Sequence, residues 1–200
     1  MAAATKTVEP QVITIPPIDV RKMELTLVGD SELIVHRWSE KAKKEMLDKQ
    51  MGKAKSGKKA AKDPEQDYRD SLYTMPDGSY GFPAVAFKST AVDACRFVEG
   101  MKMTEARGAF HIIGELVRID GEPRMREDMV RVGMGTADIR YRAGFPEWST
   151  TITISYNAGV FTPEQIVNLF NQGGFGVGVG EWRPEKNGPF GRFHVKRGDE

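Results

Sequence analysis

Residues 173–195, GGFGVGVGEWRPEKNGPFGRFHV, gather the densest set of groups that could meet a ligand. Seven of the chain's 21 glycines fall in the first nineteen of these residues, interleaved with Phe175, Trp182, Arg183, Lys186, Phe190, Arg192 and Phe193. Glycine lacks Cβ, so such backbone can approach a ligand closely or take positive φ at little steric cost. Aromatic rings beside it offer stacking surfaces and cationic heads offer phosphate contacts, which is the chemistry of single-strand nucleic-acid binding. A tight β-hairpin with a mobile tip explains the same composition equally well. The segment lacks the Lys-Ser/Thr ending of a P-loop, and it follows a helix where a dinucleotide fingerprint would follow a strand. Nucleotide hydrolysis is therefore disfavoured.

Lysines supply the second candidate surface. Nine lie between Lys41 and Lys62, including Lys41, Lys43, Lys44, Lys53, Lys55, Lys58 and Lys59, against only Glu45 and Asp48, a formal +7. The whole chain is +1, so the remainder is acidic. A basic block neutralises phosphates, an attraction that weakens as salt rises. The plainer alternative is a solvated loop that keeps the protein soluble. Arg37 stands just before the block. Lys88, with Arg96 eight residues on, could line a backbone-binding groove or simply form a solvated helix face. Arg140 and Arg142 flank Tyr141, an aromatic between two cations. The nucleic-acid contacts expected from sequence are thus Arg37, the seven lysines named above, Lys88, Arg140, Arg142, Trp182, Arg183, Lys186 and Arg192.

Acid–base chemistry has one candidate, His36, beside Arg37, Trp38 and the lysine run. A histidine can act as general acid or base without a metal. Phosphate contact or strand-end packing is the stronger reading of His36. His111 sits in an apolar strand and reads as structural, and His194 alternates with Phe193 and Val195 as a solvent-facing residue would. Asp63, Glu65, Asp67 and Asp70 cluster in a polar stretch that reads as a solvated helix start, and Glu181 and Glu185 flank Trp182-Arg183 as local ion-pair partners. The single cysteine, Cys95, excludes an internal disulfide framework and reads as a small buried hydrophobe. No Cys/His cluster has zinc-site spacing, so neither metal nor cofactor is expected. No apolar run approaches the ~20 residues needed to span a bilayer. The opening MAAATKTVEP has no apolar signal core, and a cytoplasmic protein is expected.

The elements that would position these residues follow from periodicity. Residues 1–20, with Pro10, Pro16 and Pro17, read as a poorly ordered arm ahead of a single domain spanning 21–200. MELTLVG (23–29) begins with strand alternation, and ELIVHRW continues or extends that strand. Glu40 to Met51 reads as a polar helix running into a lysine-, glycine- and alanine-rich stretch with nothing to bury. Residues 84–99 read as a helix with a stripe through Phe87, Ala91, Ala94, Cys95 and Val98, and 109–119 as a strand. The methionines around the middle of the chain read mostly as core filling. Arg131–Tyr141 reads as one arm of a hairpin. Ile152, Ile154 and Tyr156 alternate with Thr151, Thr153 and Ser155. Thr162-Pro163-Glu164-Gln165 is a capping-box pattern, with a short helix to Gly173-Gly174 as its stop. A last strand falls at 176–182 or 190–195. The order is βαββαβ, an α+β ferredoxin-like palm, with a lysine-rich insertion at 30–80 and a hairpin insertion at 120–147.

In this order the chain resembles the RAMP superfamily of CRISPR-associated proteins, particularly the backbone subunits that coat guide RNA. MELTLVGDSELIVHRWSEKAKKE is similar to the family's first strand and insertion. YGFPAVAFKSTAVDACR is similar to its apolar-proline step into the first palm helix. The close, with Gly188-Pro189-Phe190-Gly191-Arg192-Phe193, resembles its glycine-rich loop, and it also resembles bacteriophage proteins. The resemblance implies RNA bound through the palm, a thumb at 120–147 and basic residues, with copies assembling along the strand. At 200 residues the chain is short for such a subunit, which argues against a full fingers domain. The leading expectation is a non-enzymatic single-stranded nucleic-acid-binding protein, RNA ahead of DNA, forming a homo-oligomer on its ligand. One alternative is a metal-independent endoribonuclease using His36. The other is a phage structural or interference protein working through protein contacts, with CRISPR-type or phage partners.

Overall fold

The structure is a computed structural model and describes residues 15–52, 61–132 and 135–198. Lys53, Lys55, Lys58 and Lys59 lie outside the described residues, as does most of the 1–20 arm. In chain order the elements are β1 (Val20–Gly29), β2 (Leu33–Val35), α1 (Glu40–Gln50), α2 (Pro64–Ser71), β3 (Tyr73–Thr74) and β4 (Tyr80–Pro83). They continue with α3 (Ala84–Ala94), α4 (Met103–Ala109), β5 (Phe110–Ile112), β6 (Leu116–Arg118), β7 (Arg124–Val132) and β8 (Thr136–Phe145). The chain closes with β9 (Ser149–Asn157), α5 (Pro163–Gly176) and β10 (Phe193–Val195).

Four strands form the palm in the order β10-β1-β9-β5, every neighbour antiparallel. Helix α3 carries the chain from β1 to β5 and α5 from β9 to β10, each crossover stepping over one strand. Two interleaved βαβ halves in that order are the ferredoxin-like arrangement. Strand alternation supplies its core. Leu25 and Leu27 of β1 and Ile152, Ile154 and Tyr156 of β9 point under the helices, while Lys22, Glu24, Thr151 and Thr153 stay on the other face. The helices answer with Phe87, Ala91 and Ala94 from α3 and Ile166, Leu169 and Phe170 from α5. Phe87, Trp148 and Phe193 meet in one aromatic cluster, with ring centroids 5.8–6.3 Å apart. The capping box forms as its residues dictate: Thr162 accepts from Gln165 N and Gln165 accepts from Thr162 N.

The first insertion adds β2, α1, α2, β3 and β4, and the second adds the long β7–β8 hairpin. ELIVHRW does not extend β1. Its Leu33–Val35 turns away and pairs with Phe145–Ala143 of β8, forming a second sheet, β2-β8-β7. A third small sheet, β3-β4-β6, braces the start of α3.

Three local expectations are corrected and one alternative is decided. Residues 109–119 are two short strands in different sheets, because Gly114, at φ +100, breaks the run. Arg131 and Tyr141 stand on opposite hairpin arms, since Val132 pairs with Thr136 and the change of direction falls inside the 131–141 span. Gly173-Gly174 does not stop α5, which runs on to Gly176; these glycines instead let the helix lie against Thr90 of α3 and Phe193 of β10. Of the two placements expected for the last strand, 190–195 holds it, as β10, while residues 177–192 form an irregular loop with one 3₁₀ turn at Pro184–Lys186. Among the described residues no helix is long and apolar enough to cross a membrane.

Candidate nucleic-acid interface

The glycine-rich loop folds back on the root of the hairpin. Gly191 takes φ +67, and a Cβ there would stand 1.7 Å from Val179 O; one on Gly188 would stand 1.7 Å from Trp182 O. The loop therefore closes tightly on itself and presents Trp182, itself at φ +52, and Phe190 to the hairpin. Trp182 lies over the Arg142 guanidinium at 5.0 Å and Phe190 over that of Arg126 at 4.9 Å. Arg126 and Arg142 are direct partners across β7 and β8. Two like charges facing each other on one sheet face repel unless neutralised. Three carboxylates do this. Glu32 accepts from Arg124 (3.0 Å) and from Arg126, Asp128 accepts from Arg126 (3.1 Å) and Arg142 (2.9 Å), and Glu181 accepts from Arg142 (3.2 Å). Arg142, Asp128 and Glu32 are almost fully enclosed.

This placement separates the expected contacts. Arg142 has a side chain only 1% exposed and belongs to the interior. Arg183 donates to Glu185 (2.7 Å) and to Gly180 O. Burial pushes the Glu185 carboxyl up, but Arg183, Lys186 and Arg96 together hold it below the usual carboxylate range. Lys186 is exposed, 3.9 Å from the same carboxylate. Arg192 is half-buried with its Nε enclosed and unbonded.

A second group of expected residues comes together elsewhere. β2 covers β8 only at Ala143–Phe145, so the β8 edge beyond it has no described strand partner, and a cleft of about 250 Å³ runs along that edge. Arg37 and Trp38 border it from the end of β2, Lys62 from the start of α2, and Arg140 and Tyr141 from β8. Trp38 is 49% exposed. Ser39 caps α1 by accepting from Ala42 N, and positions 41, 43 and 44, Lys41, Lys43 and Lys44, fall in the first turns of that helix. Lys43 pairs with Glu40 at 2.6 Å and Lys44 is exposed. Lys62 is bonded to Asp138 and to Ile139 O. Tyr141 is hydrogen-bonded to Glu127, which holds its hydroxyl pKa above the ordinary value.

Lys88 forms a third, smaller cluster. Its Nζ lies 3.0 Å from His111 Nδ1, and burial together with Arg107 lowers its pKa. With the lysine donating to Nδ1, the imidazole carries its proton on Nε2, so the cluster presents only donors outward. Among the described residues neither Lys88 nor Arg107 forms an ion pair with a carboxylate. His194 is placed differently, 2.7 Å from Asp30.

His36 borders two clefts at once, half-buried, with its Nδ1 enclosed and unbonded. Burial first, then Arg140, pushes its pKa below 6.5, Glu181 acting the other way. The native state therefore binds fewer protons here than the unfolded chain. Its contribution to stability is complete above the unfolded pKa and is lost as pH falls through that range to the lower native value. The thermal midpoint of the wild type is expected to fall between about pH 7 and about pH 5 more steeply than that of His36→Gln. Parallel curves would show that His36 titrates as it does in the unfolded chain.

The sequence pointed to Arg140 and Arg142 but not to Glu32, Arg124, Arg126 and Asp128. The signal was the alternation Arg124, Arg126, Asp128 on one strand face, opposite Arg140 and Arg142. Among the described residues no group of three or more His, Cys, Asp or Glu side chains is placed to hold a metal ion.

The sheet order and the two crossovers define an α+β protein with a ferredoxin-like palm, bearing a helical insertion and a long hairpin. No protein-family model and no curated protein matches the chain. Among solved structures, the chain is similar to Cmr6 from Pyrococcus furiosus, at 10% identity and a TM-score of 0.48, over 90% of this chain and all of that one.

Proposed function

We propose that this chain is a non-enzymatic nucleic-acid-binding protein with a RAMP-type palm, taking single-stranded RNA ahead of DNA and assembling in several copies along the strand. One observation carries the reading: the exposed Trp38 ring shares a cleft with Arg37, Lys62, Arg140 and Tyr141, which Asp67, Asp70 and Asp138 also line, and Lys62 closes the lysine-rich run of the sequence. An aromatic platform beside a cationic track is what a single strand requires, bases stacking while phosphates are neutralised. The Lys88–Arg107–His111 cluster supports it as a second phosphate contact, because clustered donors without a carboxylate attract an anion. The palm order and the position of the glycine-rich loop between α5 and β10 accord with the RAMP resemblance.

Fluorescence anisotropy with single-stranded RNA, single-stranded DNA and duplex across a salt series tests this. Wild type is expected to bind single-stranded RNA most tightly, with affinity falling linearly on a logarithmic salt scale. Trp38→Ala is expected to weaken binding by about 1–3 kcal/mol without changing the salt slope, whereas Lys88→Ala should flatten that slope. Absence of binding at low salt would sink the reading. The same mixtures kept in EDTA distinguish the ribonuclease alternative, which predicts cut strands that His36→Ala leaves whole; neutral His36 beside the cleft is what keeps that alternative in view.

A further inference from the structure

The other cleft that His36 borders lies between α3 and the glycine-rich loop and holds about 320 Å³. That is at the lower end of the range for small-molecule sites and enough for a single planar heterocycle. Its floor includes Tyr73, Phe82, Ala86 and Val179, and Tyr73 and Phe82 meet edge to face at 5.7 Å. Its rim is more acidic than that of the Trp38 cleft, where Arg37, Lys62 and Arg140 are matched by Asp67, Asp70 and Asp138. The charged side chains lining the α3 cleft are Asp93, Glu181, Glu185 and Arg183, so carboxylates predominate.

These carboxylates are not equivalent. Glu185 is held by Arg183 and, at 3.6 Å, by Arg96, while Glu181 is held by Arg142. Asp93 forms no ion pair among the described residues; the nearby Arg96 Nε donates to its backbone oxygen, not to its carboxylate. Ser89, one turn earlier on α3, borders the same cleft. An acidic rim repels phosphate and attracts a group that only donates. Among the four RNA bases, guanine alone places two adjacent N–H donors, the ring N1–H and the exocyclic amine, on its pairing edge. Two such donors match the two oxygens of one carboxylate. Single-stranded bases are read in this way, splayed from the strand, stacked on aromatic side chains and bonded along the pairing edge.

We infer that this cleft takes one guanine base of a bound strand, with the Asp93 carboxylate accepting from N1–H and the exocyclic amine while the aromatic floor contacts the ring. The inference rests on the nucleic-acid reading above and adds base selection to it. The phosphates stay on the cationic surfaces, and the acidic cleft admits only the base.

The test uses the full chain and short oligouridines carrying one internal guanosine, inosine or adenosine, at fixed salt. Inosine keeps the ring N–H and lacks the exocyclic amine. Wild type is expected to bind the guanosine strand about tenfold more tightly than the inosine strand. Asp93→Asn, with a single acceptor oxygen, is expected to erase that preference while affinity for plain oligouridine and its salt slope stay as in wild type. Equal affinity for guanosine and inosine strands in wild type overturns the inference without touching the parent reading. So does a guanosine preference that survives Asp93→Asn, or NMR shifts at the cleft caused by arginine amide and not by guanosine monophosphate. Failure to bind any strand overturns both. The base series needs no variant, so a misfolded Asp93→Asn would leave it decisive.

Discussion

Arg142→Ala is expected to destabilise the protein by about 3–5 kcal/mol. The guanidinium is enclosed, and among the described residues it is one of two cations that reach Asp128, whose side chain is 5% exposed. Removing it leaves Asp128 with Arg126, which is already shared with Glu32, and leaves the Trp182 ring over a void. The Arg142–Glu181 bond adds little, because Glu181 is 44% exposed and water screens it. In a chain of this size the loss corresponds to a fall in Tm of roughly 10 °C. Removing both charges as Asp128→Leu with Arg142→Met is expected to recover much of it, since a buried pair replaced by apolar groups of similar volume is often close to neutral. Urea unfolding followed by circular dichroism and tryptophan fluorescence reads both variants. A loss below about 1 kcal/mol for the single variant would mean that water reaches Asp128 and that the pair is not a buried one.

Gly174→Ala should act against helix propensity. In an exposed helix, alanine in place of glycine stabilises by about 1 kcal/mol. Gly108 is such a site: it lies inside α4, and a Cβ there would meet nothing within 4 Å. At Gly174, inside α5, a Cβ would stand 2.0 Å from Phe193 O, so helix and closing strand would have to part. Overpacking of this kind costs about 3 kcal/mol. The two substitutions are the same chemical change with opposite expected signs. Denaturant midpoints measured side by side check them, and a stabilised Gly174→Ala would disprove the close approach of α5 to β10.

The same pair of sites marks where the sequence was legible. The α5 capping box and the β9 alternation were readable because each depends on residues a few positions apart. The ferredoxin-like order followed from such local signals taken in sequence. Gly173-Gly174 was misread because a glycine that stops a helix and one that lets a helix lie close to a neighbour look alike until the neighbour is known. Arg140-Tyr141-Arg142 was read as an aromatic between two cations, yet strand geometry sends Tyr141 to the opposite face from both arginines. Arg142 is committed to Asp128, fourteen residues away on the facing arm, and to Glu181 in the closing loop. Arg142 and those two partners come from three separate stretches of chain, and no spacing rule connects them. The Trp38 cleft was half visible: Arg37 and the lysines stood out by charge, but the β8 edge that completes the cleft depends on where β2 stops pairing.

The stacked arginines at the hairpin root make the β7–β8 arm a lever with an ionic fulcrum. Its outer half is unsupported by any described strand beyond β2, whereas its root is gripped by rings carried on the loop before β10. A push at the outer half must therefore slide two guanidinium planes beneath Trp182 and Phe190. Any occupant of the α3 cleft, whose wall is that same loop, would stiffen the arm at a distance without touching it.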